Sequence, residues 1–341
     1  AKRRQEHNLV ALAAMQMVDG KIVAAAADGE RAAGSGVPAT SDDQWHLGSI
    51  TKSITATMIA RLVAAGDMSW DETVGDSFRD FAELDDGWRK VTLAQLLTHA
   101  SGAPANLSPL ANLVRPEEGA ERTEARRRAA ELVLGQPPLG APGEKFAYSN
   151  AGYTIAGVMA EQATGETWEN LVRREVFGPL QLASAGFGAP RWGDPLDQPR
   201  GHLAGVTPRA PVVGIEDNTP LMGPAGTIHM TLHDLCAFAN EHLQGERGKG
   251  ILLTQEAYRR LHTPVLGDYG YGWVCVPGDE AGTRAHVWHN GSNTMWYALV
   301  VLVPDANSVV AVASNDGDID SAQAAAWQIV EQCCGPLKTK Q

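Results

Sequence analysis

Runs of strand-forming residues stand at both ends of this chain. Near the start, residues 9–18 and 21–27 are apolar runs separated by Asp19-Gly20, a dipeptide that favours a two-residue hairpin turn. Near the end, β-rich runs occupy residues 271–276, 284–288, 295–303 and 308–314. Consecutive antiparallel strands at the end of the chain, strands at its start and helices between them predict one mixed sheet built from both ends.

The middle of the chain, from about residue 70 to residue 235, has a different character. It mixes prolines and glycines with short helical patterns at 91–98, 117–134, 151–163 and 168–176, and it shows no strand alternation. A last helical pattern at 320–334 is expected to pack on the sheet. We therefore predict an α+β fold in which residues 1–70 and 235–341 form a sheet domain and residues 71–234 form a mainly helical inserted domain.

The charge and hydropathy of the chain limit its partners. A formal net charge of −12 repels phosphate backbones, so no nucleic acid is expected. No apolar run approaches the roughly 20 residues that a membrane span needs. We expect a soluble protein, periplasmic or secreted if a signal peptide was removed and cytoplasmic otherwise.

No metal site and no cofactor are predicted. The four cysteines show no paired metal-ligand spacing. His229 and His233 stand four residues apart, but no third ligand pattern accompanies them. A helix start that carries polar histidines explains this pair better than a metal ion does.

Ser49 and Lys52 begin an apolar helical pattern that ends at Gly66. Residues at i and i+3 lie on one helical face, so the Lys52 nitrogen can reach the Ser49 hydroxyl. A serine hydroxyl needs such a base to become a nucleophile, and the free N–H groups of a helix start can hold the resulting oxyanion. The alternative is a capping serine beside a solvated lysine.

Tyr148-Ser149-Asn150 is expected in a turn before the helical pattern at 151–163, where side chains can point into a cleft. A nearby Lys52 cation would favour the Tyr148 phenolate and let it accept the Ser49 proton. Asn150 can hold both the Lys52 amine and a substrate carbonyl. The alternative makes Asn150 an ordinary helix cap and Tyr148 a packing residue.

His289-Asn290-Gly291-Ser292 precedes the apolar run at 295–303. Asn-Gly between strands is a hairpin signal, so a simple turn is one interpretation. In the functional interpretation, the N–H near Ser292 is a second oxyanion donor, and His289 faces the cleft as a polar or cationic contact.

Together, Ser49-x-x-Lys52, Tyr148-x-Asn150 and His289-x-Gly291 resemble, in that order, the motifs of the serine β-lactamase and penicillin-recognising enzyme superfamily. The branch they resemble holds class C β-lactamases, D-alanyl-D-alanine carboxypeptidases, D-amino-acid peptidases and β-lactamase-like esterases. The resemblance runs from about Trp45 to Asn315 and includes the stretches 96–102, 148–165, 223–227 and 269–273.

The resemblance implies a five-stranded antiparallel sheet flanked by helices, with a second, mostly helical lobe forming the other wall of the site. It makes Ser49 the acylated nucleophile and Lys52 and Tyr148 the proton-transfer pair. The N–H groups of Ser49 and Ser292 would form the oxyanion hole. The substrate-binding set is Asn150, His289, Gly291 and Ser292.

The third motif departs from the lactamase pattern, which carries Lys-Thr-Gly where this chain has His289-Asn290-Gly291. A neutral imidazole binds a substrate carboxylate less firmly than an ammonium group does. We therefore expect a serine hydrolase that acts on a small ester or amide. Its alternatives are a β-lactamase, a penicillin-binding D-Ala-D-Ala carboxypeptidase that takes β-lactams or D-amino-acid peptides, and a catalytically silent ligand-binding homologue.

Overall fold

The computed structural model describes residues 1–190, 195–204, 217–279 and 283–337. The fold is α+β, as predicted. The strands of the described residues are β1 Ala11–Val18, β2 Lys21–Gly29, β3 Gln44–His46, β4 Gly186–Phe187, β5 Ile228–Thr231, β6 Val274–Val276, β7 His286–Ser292, β8 Tyr297–Val303 and β9 Ser308–Ser314.

The α-helices of the same residues range in length from three to sixteen residues. They are α1 Lys2–Glu6, α2 Thr51–Ala65, α3 Val74–Ser77, α4 Leu93–Leu97, α5 Ala120–Leu134, α6 Asn150–Thr164, α7 Trp168–Val172, α8 Gly178–Leu180, α9 Gly223–Gly226, α10 Leu232–Gly245, α11 Gln255–Leu261 and α12 Ile319–Cys334.

Within the described residues, the main sheet has six strands in the order β2-β1-β9-β8-β7-β6. The prediction that both chain ends build it is confirmed, but the expectation of a mixed sheet is wrong, because every strand pair is antiparallel. The count of five strands is wrong for this chain, because each of the six apolar runs forms a strand. The shortest, β6, pairs with β7 only as far as Val274 opposite Trp288.

Helices cover both faces of the sheet. Alternate residues of β9 belong to two core clusters: Val309 and Ala311 lie in the cluster that contains α2 and α10, while Val310 and Val312 lie in the cluster that contains α12. A strand buried on both faces reads as a continuous apolar run, as residues 308–314 do. The predicted Asp19-Gly20 turn is also confirmed, with φ of +51° and +73° at the two residues.

A second sheet was not predicted. Its strand order is β3-β5-β4, and its strands are two to four residues long. Such short strands carry too little alternation to be recognised, and β5 obtains its partners from segments far away in the sequence. His229 lies in β5, whereas His233 lies in the first turn of α10, which Thr231 caps.

The division into residues 1–70 with 235–341 and residues 71–234 stays a prediction, and its boundary at 235 lies inside α10. Over the described ranges, no helix has both the length and the apolar character that crossing a bilayer requires. The same residues contain no group of three or more histidine, cysteine, aspartate or glutamate side chains placed to hold a metal ion.

Candidate active site

Ser49 lies in a 3-10 turn, Gly48–Ile50, that leads directly into α2. All ten residues from Thr51 to Ala60 are buried, so α2 runs through the core rather than along the surface. The helical spacing places Lys52 one turn beyond Ser49, with 2.9 Å between Lys52 Nζ and Ser49 Oγ. The predicted pairing of these two side chains is therefore present.

The hydrogen bonds of Lys52 fix the direction of its lone pair. Its Nζ lies 2.7 Å from Asn150 Oδ1 and 2.7 Å from the carbonyl oxygen of Ala225. Both oxygens can only accept, so they take two N–H groups. Complete burial lowers the pKa of Lys52 well below its usual value. In the neutral amine that burial favours, the remaining lone pair faces the Ser49 hydroxyl.

Tyr148 is the second side chain in contact with the Ser49 hydroxyl. Its hydroxyl donates to Ser49 Oγ over 2.7 Å. Burial raises the pKa of Tyr148, although 37% of the residue surface is exposed. The expected phenolate beside a lysine cation does not fit this burial, which disfavours both the negative charge on Tyr148 and the positive charge on Lys52.

Asn150 is oriented by an amide on a neighbouring loop. Its Nδ2 donates to Asn106 Oδ1 over 2.7 Å, which turns Oδ1 towards Lys52. The helix cap is Ser149, whose hydroxyl accepts the Gly152 N–H over 2.8 Å. The interpretation of Asn150 as the helix cap is therefore wrong, because Ser149 is the cap. The Asn150 side chain contacts Lys52 instead.

His289 is 3% exposed, and both of its ring nitrogens have partners. Nδ1 lies 2.5 Å from the Asn290 carbonyl oxygen, and Nε2 lies 3.0 Å from the Tyr269 hydroxyl. The carbonyl can only accept, so Nδ1 carries the proton and Tyr269 donates to Nε2. Burial lowers the pKa of His289 to about 3. Of the two expected contacts, polar or cationic, this pKa favours the polar one, and His289 borders the cleft as a neutral ring.

Gly291 and Ser292 lie in β7 rather than in a turn. The Asn-Gly hairpin alternative is wrong because the strand continues through Ser292, opposite Tyr297. A Cβ at Gly48 would overlap the Ser292 nitrogen, and a Cβ at Gly291 would overlap the Ser49 nitrogen. Two glycines therefore let the Gly48–Ile50 turn and β7 touch, with the amides of Ser49 and Ser292 beside each other.

A cleft of about 300 Å³ opens at Ser49. None of the described residues that line it carries a charge. They are Ser49, Phe146, Tyr148, Tyr269, Val274, His289, Asn290, Gly291, Ser292, Tyr297 and Ile319.

Sequence reasoning missed three contributors to this arrangement: the Asn106 amide, the Tyr269 hydroxyl and the Ala225 carbonyl. The last two lie in stretches, 269–273 and 223–227, that carried the family resemblance. Asn106 gave no signal, because an asparagine in a loop is ordinary.

The chain is 28% identical over 328 residues to penicillin-binding protein 4 of Amycolatopsis lactamdurans, with 92% of this chain and 83% of that protein covered. It is 24% identical to the putative penicillin-binding protein PbpX of Bacillus subtilis (strain 168), with 69% of this chain and 54% of that protein covered.

Solved structures share the fold. The octameric penicillin-binding protein homologue of Pyrococcus abyssi matches 98% of this chain and 76% of its own, with a TM-score of 0.78 and 23% identity. A D-stereospecific amidohydrolase from Streptomyces sp. matches 96% of this chain and 95% of its own, with a TM-score of 0.74 and 22% identity. The model of the family described as "Beta-lactamase" matches residues 1–333, so this chain belongs to the β-lactamase family of serine hydrolases.

Proposed function

We propose that this protein hydrolyses small, uncharged esters or amides through an acyl-enzyme on Ser49. The observation that carries the proposal is the hydrogen-bond set of Lys52, in which two carbonyl oxygens take two N–H groups. The third contact of Lys52 Nζ is with Ser49 Oγ at 2.9 Å, so the remaining lone pair of the amine faces the Ser49 hydroxyl. A base that is neutral and aimed at the nucleophile is what acyl transfer requires.

In the proposed reaction, Ser49 Oγ attacks the substrate carbonyl while Lys52 takes its proton. The amides of Ser49 and Ser292 stabilise the oxyanion. Tyr148, which touches Oγ at 2.7 Å, gives its proton to the leaving group and regains one from Lys52. Water then attacks the ester on Ser49 and gives up a proton to Lys52 and Tyr148. These groups return a proton to Ser49 Oγ as its bond to the acyl group breaks, and the acid is released.

The lining of the cleft supports an uncharged substrate. Four aromatic rings and two aliphatic side chains surround Ser49, and His289 brings no positive charge. A carboxylate placed beside them would lose its hydration without an ion-pair partner among the lining residues, which costs several kcal/mol. An ester with an apolar acyl group pays no such cost.

The test combines a covalent probe with a substrate panel. A fluorophosphonate should add one adduct to the folded protein, at Ser49, and Ser49→Ala should remove it. Among p-nitrophenyl butyrate, a chromogenic cephalosporin and a D-Ala-D-Ala peptide, the uncharged ester should give the highest kcat/KM. A folded protein that takes no adduct would contradict the proposal.

A second candidate is a β-lactamase or a D-Ala-D-Ala carboxypeptidase. The names of the relatives favour it, since two are described as penicillin-binding proteins and a solved neighbour as a D-stereospecific amidohydrolase. The same panel separates the candidates, because this one predicts faster turnover of the cephalosporin or the peptide than of the ester.

A silent ligand-binding homologue is the third possibility. It predicts that the parent protein turns over no member of the panel, while Ser49→Ala keeps the parent's affinity for a bound β-lactam or peptide. A large loss of rate in Ser49→Ala excludes it.

A further inference from the structure

His46 lies three residues before the nucleophile, at the end of β3, and its imidazole is fully buried. Nδ1 lies 3.0 Å from the amide nitrogen of Gly48, and Nε2 lies 2.5 Å from Asp217 Oδ1. A backbone N–H can only donate, so Nδ1 accepts it and Nε2 carries the ring proton. Asp217 receives that proton in a hydrogen bond and so selects this tautomer.

The Gly48 amide is one peptide unit before the Ser49 amide, which is the proposed oxyanion donor. Gly48 has a φ of +49°, and β7 blocks any side chain there. The hydrogen bond to His46 therefore holds this turn from one side while β7 holds it from the other. Rotation of the Gly48–Ser49 peptide would tilt the oxyanion donor away from its target.

Asp217 also connects this side of the site to the lysine. Its Oδ1 accepts the Asn218 N–H over 2.7 Å, and Asn218 Nδ2 donates to the Gly226 carbonyl over 2.7 Å. Gly226 follows Ala225, whose carbonyl binds Lys52. Asp217 and Asn218 thus connect His46, which contacts the turn that carries the oxyanion donor, to the segment of Ala225 and Gly226, which binds the base Lys52.

We infer that His46, held in its Nε2-protonated tautomer by Asp217, is a positioning residue that orients the Ser49 amide for oxyanion binding. It touches no reacting atom and acts through Gly48. The inference goes beyond the proposed function, and only its kinetic test rests on that function.

Two substitutions separate the two hydrogen bonds. In His46→Asn, the amide oxygen takes the place of Nδ1, so Gly48 keeps its acceptor. In His46→Gln, the amide nitrogen takes the place of Nε2, so Asp217 keeps its donor and Gly48 loses its acceptor. We expect His46→Gln to lower kcat on p-nitrophenyl butyrate about 10- to 100-fold with little change in KM, because a misaligned oxyanion donor weakens the transition state. His46→Asn should stay within about fivefold of the parent.

A spectroscopic measurement accompanies the kinetics. The isotope-edited carbonyl stretch of the acyl-enzyme should shift towards that of a free ester in His46→Gln and remain near the parent's value in His46→Asn. The control for loss of a buried histidine–carboxylate pair is His262→Gln, since His262 Nδ1 lies 2.5 Å from Glu246 Oε1 outside the cleft. It should lower the melting temperature and leave kcat and the carbonyl stretch unchanged.

The inference would be overturned if both His46 variants kept the parent's kcat, or if both lost kcat to the same extent. The ring tautomer gives a test that needs no activity: ¹⁵N spectra of histidine-labelled protein should show His46 protonated at Nε2, and an Nδ1-protonated ring would overturn the inference by itself. A parent without turnover contradicts the proposed function instead. The tautomer and the shift of the Gly48 amide proton in His46→Gln then decide the inference.

Discussion

The protonation state of Lys52 is the property of a single residue on which the chemistry depends. Two influences on this state oppose each other. The Tyr148 and Tyr153 rings lie 4.8 and 5.6 Å from Nζ and favour the cation, whereas burial favours the neutral amine. Cation–π attraction is worth about 0.5–2 kcal/mol. Burial is the larger influence, because the pKa of Lys52 lies well below its usual value despite the two rings, and the neutral amine is favoured.

The pH dependence of acylation follows from that result. Protonated Lys52 has no lone pair, so the rate should rise with pH through the pKa of Lys52. Because burial places this pKa well below its usual value, the rise should be complete well below pH 10. Tyr148 should cause no loss near its ordinary pKa, because burial raises its pKa. Rates of fluorophosphonate labelling from pH 5 to 10 check this expectation, and a tenfold increase per unit between pH 8.5 and 10 would contradict it.

At the scale of the element, strand β7 does more than complete the sheet. It pairs with β6 only through His286, Val287 and Trp288, and its last residues contact the nucleophile turn instead. Where a strand has no neighbouring strand, its backbone N–H and C=O groups are unpaired on that side. Beyond Trp288, this side of β7 faces the cleft. The contact requires glycine at two facing positions, Gly48 and Gly291.

Gly291→Ala should therefore damage catalysis more than stability. Its Cβ would overlap the Leu47 carbonyl oxygen and the Ser49 nitrogen, so β7 must move away from the turn and separate the two oxyanion donors. We expect kcat to fall by about 100-fold or more, with a loss of about 1–3 kcal/mol in the free energy of unfolding. Gly140→Ala is the matched control, since nothing lies within 4 Å of the added Cβ. Similar kcat values for the two variants would contradict the argument.

At the scale of the whole molecule, a buried charge cluster ties the helical part of the chain to the site. Arg126 of α5 is fully buried and binds Glu161 of α6 and Glu169 of α7. Its guanidinium also donates to the Pro220 and Leu221 carbonyls at 3.1 and 3.3 Å. Those carbonyls precede α9, which supplies the Ala225 oxygen to Lys52.

Arg126→Met should destabilise the protein strongly, because it leaves two buried carboxylates without their common partner. We expect the free energy of unfolding to fall by about 3–5 kcal/mol in urea titrations. Arg127→Met is the control on the same helix. Arg127 pairs with Glu124 and Glu131 but is itself 38% exposed, so the loss should stay within about 1 kcal/mol. Equal losses of unfolding free energy in the two variants would contradict the prediction that the buried cluster stabilises the protein more than an exposed ion pair does.

Much of the fold was accessible from the sequence because its signals are local. The runs at 9–18 and 308–314 became β1 and β9, and Gly66 and Gly165 ended helices with φ of +85° and +72°. The small sheet of β3, β5 and β4 was missed, since its few residues are strands only through partners distant in the sequence. The same holds for Asn106, whose role arises from its contact with Asn150.

The sequence by itself determined which residue types could form an acyl-transfer site and in what order they occur, because helical spacing links Ser49 to Lys52 and the motifs are contiguous. Only the tertiary structure decided their charges and their contacts. Burial disfavours the charged forms of Lys52 and His289, the approach of β7 to Gly48 brings two amides together, and Asp217 sets the tautomer of His46. Each of these depends on the exclusion of water and on atoms from separate segments, which no local pattern encodes.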